Sequence, residues 1–198
     1  MNNMITTGQI ILACWVIFML YWFISANSVK STQETKGWLA GNWYPILLLI
    51  GALFIFDFRF LARFGIPVNS LAIILIPHFE AINILAIIFT IAGLIIAIAA
   101  RRTLAENWSG AVVIKDGHEL VTKGLYRYVR NPIYSGILLM VLGTALSFGT
   151  LGACIGFLIM VLTIWFKLHD EETILTKHFS EQYLAYKKNT KTLIPFVW

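Results

Sequence analysis

AINILAIIFTIAGLIIAIAARR, Ala81 to Arg102, is the stretch that decides the fold class. From Ala81 to Ala100 the chain carries no charge, and the run stops at two arginines. About 20 helical residues at 1.5 Å each cross a hydrocarbon core roughly 30 Å thick, so the segment reads as a transmembrane helix with a basic stop. The whole chain agrees: its 198 residues are 59% hydrophobic and 13% charged, with a mean hydropathy of +0.78. Soluble domains average about 25% charged residues. One integral-membrane domain, residues 1–198, is therefore expected, with N-terminal spans in 1–100 and the polar chemistry in 101–198.

Other apolar runs lie on either side. Gly8 to Ala26 is uncharged and of spanning length, with Tyr21 and Trp22 placed for an interfacial belt. No basic region precedes it and no small-residue cleavage site follows, so it reads as a retained anchor rather than a signal peptide. Trp43 to Phe56 is a second run, extending to about Leu61 if Asp57 and Arg59 snorkel. Pro67 and Pro77 bracket VNSLAIILI, too short to cross, so Phe64 to Glu80 reads as a re-entrant or interfacial piece. Ile133 to Phe148 and Leu151 to Leu168 flank only Gly149 and Thr150, which predicts a tight helical hairpin. Asp170 to Lys188 mixes charges with apolar residues at mostly helical spacing, an amphipathic helix at the membrane surface. The expectation is an all-α membrane protein of about five transmembrane helices.

Five crossings set the termini on opposite sides. Every Lys and Arg except Arg59 and Arg63 then falls on one face, which the positive-inside rule assigns to the cytoplasm: N-terminus outside, C-terminus and polar segments cytoplasmic. The formal charge of +5 sits in short loops rather than on a continuous soluble face, which argues against a nucleic-acid partner. Cys14 and Cys154 lie inside apolar runs as small hydrophobes, and no metal-ligand spacing occurs. Gly93 and Gly143 read as helix-packing positions, and His78 and His178 as interfacial and solvated histidines.

Two segments cluster several ionisable groups beside long apolar runs: HELVTKGLYRYVRNPIYSG, His118 to Gly136, and HDEETILTKHF, His169 to Phe179. Lys123, Arg127 and Arg130 beside Tyr126, Tyr128 and Tyr134 offer cations, hydroxyls and π-faces, suited to a carboxylate or phosphate and a flat ring. Pro132 suits the first position of a helix, whose start would present free backbone N–H groups to an anionic ligand. Glu171 and Glu172 can accept from a ribose, an amine or an arginine. Arginines and tyrosines at a membrane boundary also serve as snorkelling anchors, and composition alone favours that plainer role.

The order of motifs shifts the balance. NWSG (Asn107 to Gly110), HELVTKGLYRYVRNPIYSG, EETILTKHFSEQYLAYKK and the terminal IPF resemble the isoprenylcysteine carboxyl methyltransferase family and its bacterial and archaeal relatives. The resemblance covers about half the chain, from Arg101 onward. It implies an S-adenosyl-L-methionine-dependent methyltransferase with a cytosolic cofactor-binding loop and no Rossmann unit. No GxGxxG is present. Carried across, cofactor contacts fall on His118, Glu119, Leu120, Val121, Tyr126, Asn131, Pro132, Ile133, Tyr134 and Glu172. Asn131 stands where histidine is common, keeping a donor and an acceptor but losing the titration. Gly136 would let the hairpin pack closely beneath the cofactor, and Trp108 would help fold the loop over it.

Methyl transfer to a carboxylate needs alignment and exclusion of water rather than a base. Arg130 and Glu171 are the candidate catalytic residues. In eukaryotic members a basic residue lies one turn before the second glutamate; here that position is Leu168, flanked by Lys167 and His169, the candidate substrate-binding pair. The implied substrate is a lipophilic small molecule or lipidated partner entering from the membrane lipids. A phospholipid N-methyltransferase shares these elements and would need a base, Glu171 or His169. An NADPH-dependent sterol or enone reductase shares the Arg-x-Pro-x-Tyr-x-Gly and Asp-Glu-Glu elements. A non-catalytic scaffold would account for the anchors but not for their ordered motifs.

Overall fold

Each apolar run folds as a helix because the bilayer offers backbone groups no other partner. The computed structural model describes residues 2–26, 43–57, 62, 65, 69–105, 108 and 120–194. In chain order the helices are α1 (Asn2–Ala26), α2 (Tyr44–Asp57), α3 (Glu80–Leu104), α4 (Pro132–Phe148), α5 (Leu151–Phe179) and α6 (Glu181–Asn189). Helices α1, α3 and α5 are long and apolar enough to cross a membrane, and α2 and α4 are shorter apolar helices. The protein is an all-α membrane protein, as the hydropathy pattern led us to expect.

Local chemistry sets the α4–α5 hairpin. Pro132 occupies the first turn of α4, where its missing N–H costs nothing. Gly149 ends the helix at φ 62, and its N–H donates to the Ala145 carbonyl at 2.9 Å. A Cβ on Gly149 would also lie 2.4 Å from the Ile76 carbonyl oxygen, so glycine is needed twice over. Thr150 caps α5 by accepting from the Ala153 N–H at 3.2 Å.

The proline-bracketed segment docks on this turn. After a short 3₁₀ turn at Asn69–Ala72, the N–H groups of Leu75 and Ile76 both donate to the Gly149 carbonyl, at 2.8 and 3.0 Å. The Leu151 N–H donates to the Ile73 carbonyl at 2.8 Å. Residues 73–76 thus cap one end of the bundle and do not form a span.

Packing is closest where side chains are smallest. Helix α3 lies on α4 and α1, and α2 on α5. A Cβ on Gly93 would meet the Gly136 carbonyl oxygen at 2.4 Å, and one on Gly143 the Ala86 carbonyl oxygen at 2.5 Å. The packing role read for Gly93 and Gly143 is therefore visible as backbone contact. A second seam, Gly51 against Gly156, had no counterpart in the sequence reading. Fully buried Thr90 and Thr144 donate to carbonyls one turn back, Ala86 and Met140, each at 2.8 Å. Trp15 Nε1 donates to Thr144 Oγ1 at 3.0 Å and ties α1 to α4. Outward-facing Phe23, Ile24, Leu49, Ile88, Ile95 and Leu162 form the lipid-facing surface.

One expectation needs correction. The amphipathic stretch from Asp170 is not a separate helix, because α5 runs on without a break to Phe179. The break comes at Ser180, φ 46, whose N–H donates to the Thr176 carbonyl before α6 begins. A change in hydropathy marks where the surroundings change; it does not interrupt the backbone hydrogen bonds that define a helix.

Candidate active site

The unbroken α5 carries Lys167, Asp170, Glu171 and Glu172 on successive faces beyond its apolar part. Residues four apart share a face, so Lys167 stands under Glu171 and Leu168 under Glu172. Asp170 turns toward α2, where its carboxylate accepts a hydrogen bond from the buried Tyr44 hydroxyl. Glu171 turns toward α4. Its carboxylate faces the Tyr134 hydroxyl and lies within electrostatic reach of Lys167, whose Nζ is 5.8 Å from the centre of the Tyr134 ring. Glu171 Oε2 is buried without a hydrogen-bond partner. A buried acceptor left this way costs about 1–3 kcal/mol, which marks a place built for a donor.

Glu172 is committed within the protein. Its Oε1 accepts from Arg130 Nε at 2.8 Å, and Arg130 Nη2 is also 2.8 Å away. Its Oε2 pairs with Lys187 Nζ at 2.6 Å. Arg130 spends its other donors on the C-terminal strap: Nη1 on the Thr190 carbonyl at 2.5 Å and Nη2 on Thr192 Oγ1 at 2.8 Å. The strap then runs beside residues 128–135. The Arg130 N–H donates to the Lys191 carbonyl at 2.8 Å, and Ser135 Oγ to the Leu193 carbonyl at 2.6 Å. Both the N–H and the Nδ2 of Asn131 donate to the Thr192 carbonyl at 3.2 Å. The Asn131 N–H expected to await an anion at the start of α4 is therefore occupied by the strap, which has carbonyls within reach of it.

The described cofactor candidates gather at this end of the bundle. Tyr126, Ile133 and Ala100 form a buried cluster with Val121 packed against it. Pro132 is fully buried, and Leu120 is half-buried. Burial, and after it the Glu171 carboxylate, push the Tyr126 phenol up, so it stays protonated and acts as a donor rather than a base. Its carbonyl accepts from the Tyr186 hydroxyl at 2.6 Å, which fastens α6 over the cluster. Lys167 is buried within the site, whereas His169 is exposed and is not brought into the cluster. His118 and Glu119 lie outside the described residues.

Arg101, read in the sequence only as the stop of a span, proves to be a tie. It is 2% exposed. Its Nη2 donates to the Ser25 carbonyl and its Nη1 to the Ala105 carbonyl, both at 2.7 Å, joining the ends of α1 and α3. Its guanidinium lies 4.5 Å over the Trp108 ring, which meets Trp22 edge-on. Arg101→Leu is expected to lower stability by about 3 kcal/mol in thermal unfolding in detergent. Arg101→Lys should recover less than half of that loss, since a single ammonium nitrogen lacks the rigid planar fork that spans the two carbonyls while stacking on Trp108; full recovery would refute the tie.

A family model described as phospholipid methyltransferase matches residues 81–182, from α3 through the start of α6. The chain belongs to the phospholipid methyltransferase family. Among curated relatives, protein-S-isoprenylcysteine O-methyltransferase A of Arabidopsis thaliana is 32% identical over 114 residues, covering 56% of this chain and 58% of the relative. The Mus musculus protein-S-isoprenylcysteine O-methyltransferase is 33% identical over 128 residues, covering 62% and 43%. The chain thus spans about half the length of the curated relatives it matches. A solved structure of the eukaryotic intramembrane Ras methyltransferase, an isoprenylcysteine carboxyl methyltransferase, matches with a TM-score of 0.66 at 22% identity, covering 98% of this chain and 68% of that one. That likeness concerns the fold. The resemblance carried by the motifs is borne out at the level of the family. The family match takes in Arg130, Glu171 and Glu172 but ends before Lys187 and the strap, where Arg130 and Glu172 find partners.

Proposed function

We propose that the chain is an S-adenosyl-L-methionine-dependent methyltransferase acting at the membrane surface, esterifying the carboxylate of a lipophilic or prenylated substrate. The observation that carries the reading is the buried, unpartnered Glu171 Oε2 beside Tyr134 and Lys167, inside the family-matched segment. The donor set fits the cofactor: an ammonium group and ribose hydroxyls are what a lone carboxylate acceptor and a tyrosine hydroxyl take up. When bound, S-adenosyl-L-methionine supplies a methyl group on a cationic sulfur. The residues' tasks are orientation and exclusion of water. Tyr126, Val121, Leu120, Ile133 and Pro132 form the apolar wall. Tyr134 and Glu171 hold polar groups against it, and Lys167 is the cation able to orient an ionised carboxylate. Arg130 acts as a positioning residue through Glu172 and the strap, since its donors are taken. The excess of Lys and Arg in its loops supports a cytoplasmic setting for this end, with the N-terminus outside.

The same lone carboxylate supports a second acceptor, a phospholipid amine. An amine must lose a proton before attack, and Glu171 Oε2 could take it.

Calorimetric titration of the purified full chain with S-adenosylhomocysteine tests the reading. Glu171→Gln is expected to weaken binding by about tenfold or more, through loss of a charge-assisted hydrogen bond. Binding of NADPH instead would overturn the proposal. Radiolabelled methyl transfer to a farnesylated cysteine derivative should give a base-labile ester; a base-stable product on an amine phospholipid would select the second acceptor.

A further inference from the structure

A cavity of about 280 Å³ opens at the end of the bundle opposite the candidate active site, between the start of α1, the end of α2, the start of α3 and the end of α4. Its walls include Gly8, Phe56, Thr144 and Phe148, and none of the described residues lining it is charged. Three polar side chains line it, Asn83, Thr144 and Ser147. Thr144 is already engaged, donating to Met140 and accepting from Trp15. Neither the Asn83 amide nor the Ser147 hydroxyl has a hydrogen-bond partner among the described residues, although Asn83 is only 8% exposed. An amide and a hydroxyl that open onto an otherwise apolar, water-poor cavity suit it to a neutral group that donates or accepts.

Depth and access narrow the occupant. Asn83 is the fourth residue of α3 and Ser147 the second-last of α4, so both lie within about 5 Å of a helix end at 1.5 Å rise per residue. In a bilayer that depth is the boundary between acyl chains and headgroups. The rim residues Leu12, Phe56 and Phe148 are exposed on the lipid-facing surface, so entry is lateral. The volume falls below the roughly 300–1,000 Å³ of drug-sized pockets, enough for part of a lipid rather than a whole one.

We propose that this cavity is a structural lipid site, in which the ester carbonyl and first methylenes of a diacyl phospholipid sit against Asn83 and Ser147, with the charged headgroup left outside. The site is independent of the methyltransferase reading, because it lies at the far end of α4 from Tyr134 and Glu171.

The test is photocrosslinking of the full chain in nanodiscs, using a phosphatidylcholine with a diazirine near its glycerol ester, followed by peptide mapping. Crosslinks are expected to concentrate at residues 8–12 and 147–148. Asn83→Leu, which removes the amide, and Gly8→Leu, which grows into space where a Cβ meets nothing within 4 Å, should each reduce them by about fivefold. In the unaltered protein a diether analogue, lacking ester carbonyls, should crosslink about fivefold less, a comparison that does not depend on any variant folding. Even labelling along all lipid-facing helices, or equal labelling by ester and ether lipids, would overturn the proposal.

Discussion

Arg130→Ala is expected to cost about 3–5 kcal/mol, the loss typical of leaving one member of a buried ion pair without the other. The guanidinium side chain is 6% exposed and Glu172 14%, so water cannot replace the missing cation well. The damage would spread, because the same side chain holds the Thr190 carbonyl and the Thr192 hydroxyl. Thermal unfolding in detergent measures the stability, and limited proteolysis of the C-terminal strap measures its release. Arg130→Met combined with Glu172→Met separates the two contributions. Apolar replacement of a whole ion pair is often near neutral, yet the strap carbonyls would still lack their donor, so the double variant should recover only part of the loss. Complete recovery would show that the strap contributes nothing through Arg130.

Gly93→Ala should be the second severe change, although it adds one methyl group. The new Cβ would lie 2.4 Å from the Gly136 carbonyl oxygen and 2.7 Å from the Met140 nitrogen, both backbone atoms that cannot rotate away. Helices α3 and α4 must separate, at a cost of about 3 kcal/mol, the upper part of the usual overpacking range. The effect should reach the site, because Gly136 is two residues from Tyr134 on the same helix. A shift of about 1 Å in a positioned group can cost on the order of a hundredfold in turnover. Methyl-transfer kinetics should therefore show kcat falling more than tenfold, and Gly8→Ala, which meets nothing, serves as the unaffected control. An unchanged kcat in Gly93→Ala would mean that the α3–α4 seam does not position Tyr134.

Much of the site was legible because its residues are close in sequence. Arg130, Pro132 and Tyr134 lie within one turn on either side of a helix start, and Glu171 and Glu172 are adjacent, so the motifs announced them. Their relations were not legible. Arg130 finds Glu172 42 residues away and Thr190 60 residues away. Nothing in the local pattern named Lys187, which reaches Glu172 only because Ser180 turns the chain back. Nor did the local pattern say which of Lys167 and His169 would be buried: two residues apart, they point to faces about 200° apart around the axis, and only the packing of α5 decides which face turns inward.

The sequence by itself determined the class of the protein and the placement of its apolar helices. Hydropathy is a property of contiguous residues, and a bilayer demands uncharged runs of about 20. It also marked the hairpin through Pro132 and Gly149, whose backbone limits are local. Tertiary structure alone decided that α5 carries its carboxylates beyond the apolar region without a break, and that the strap occupies the start of α4. It also set Glu171 facing Tyr134 with a lone acceptor while Glu172 is locked between two cations. Those outcomes depend on which faces of distant helices meet, and that is set by close backbone approach at Gly93, Gly136 and Gly143 and by buried ion pairing rather than by any run of neighbouring residues.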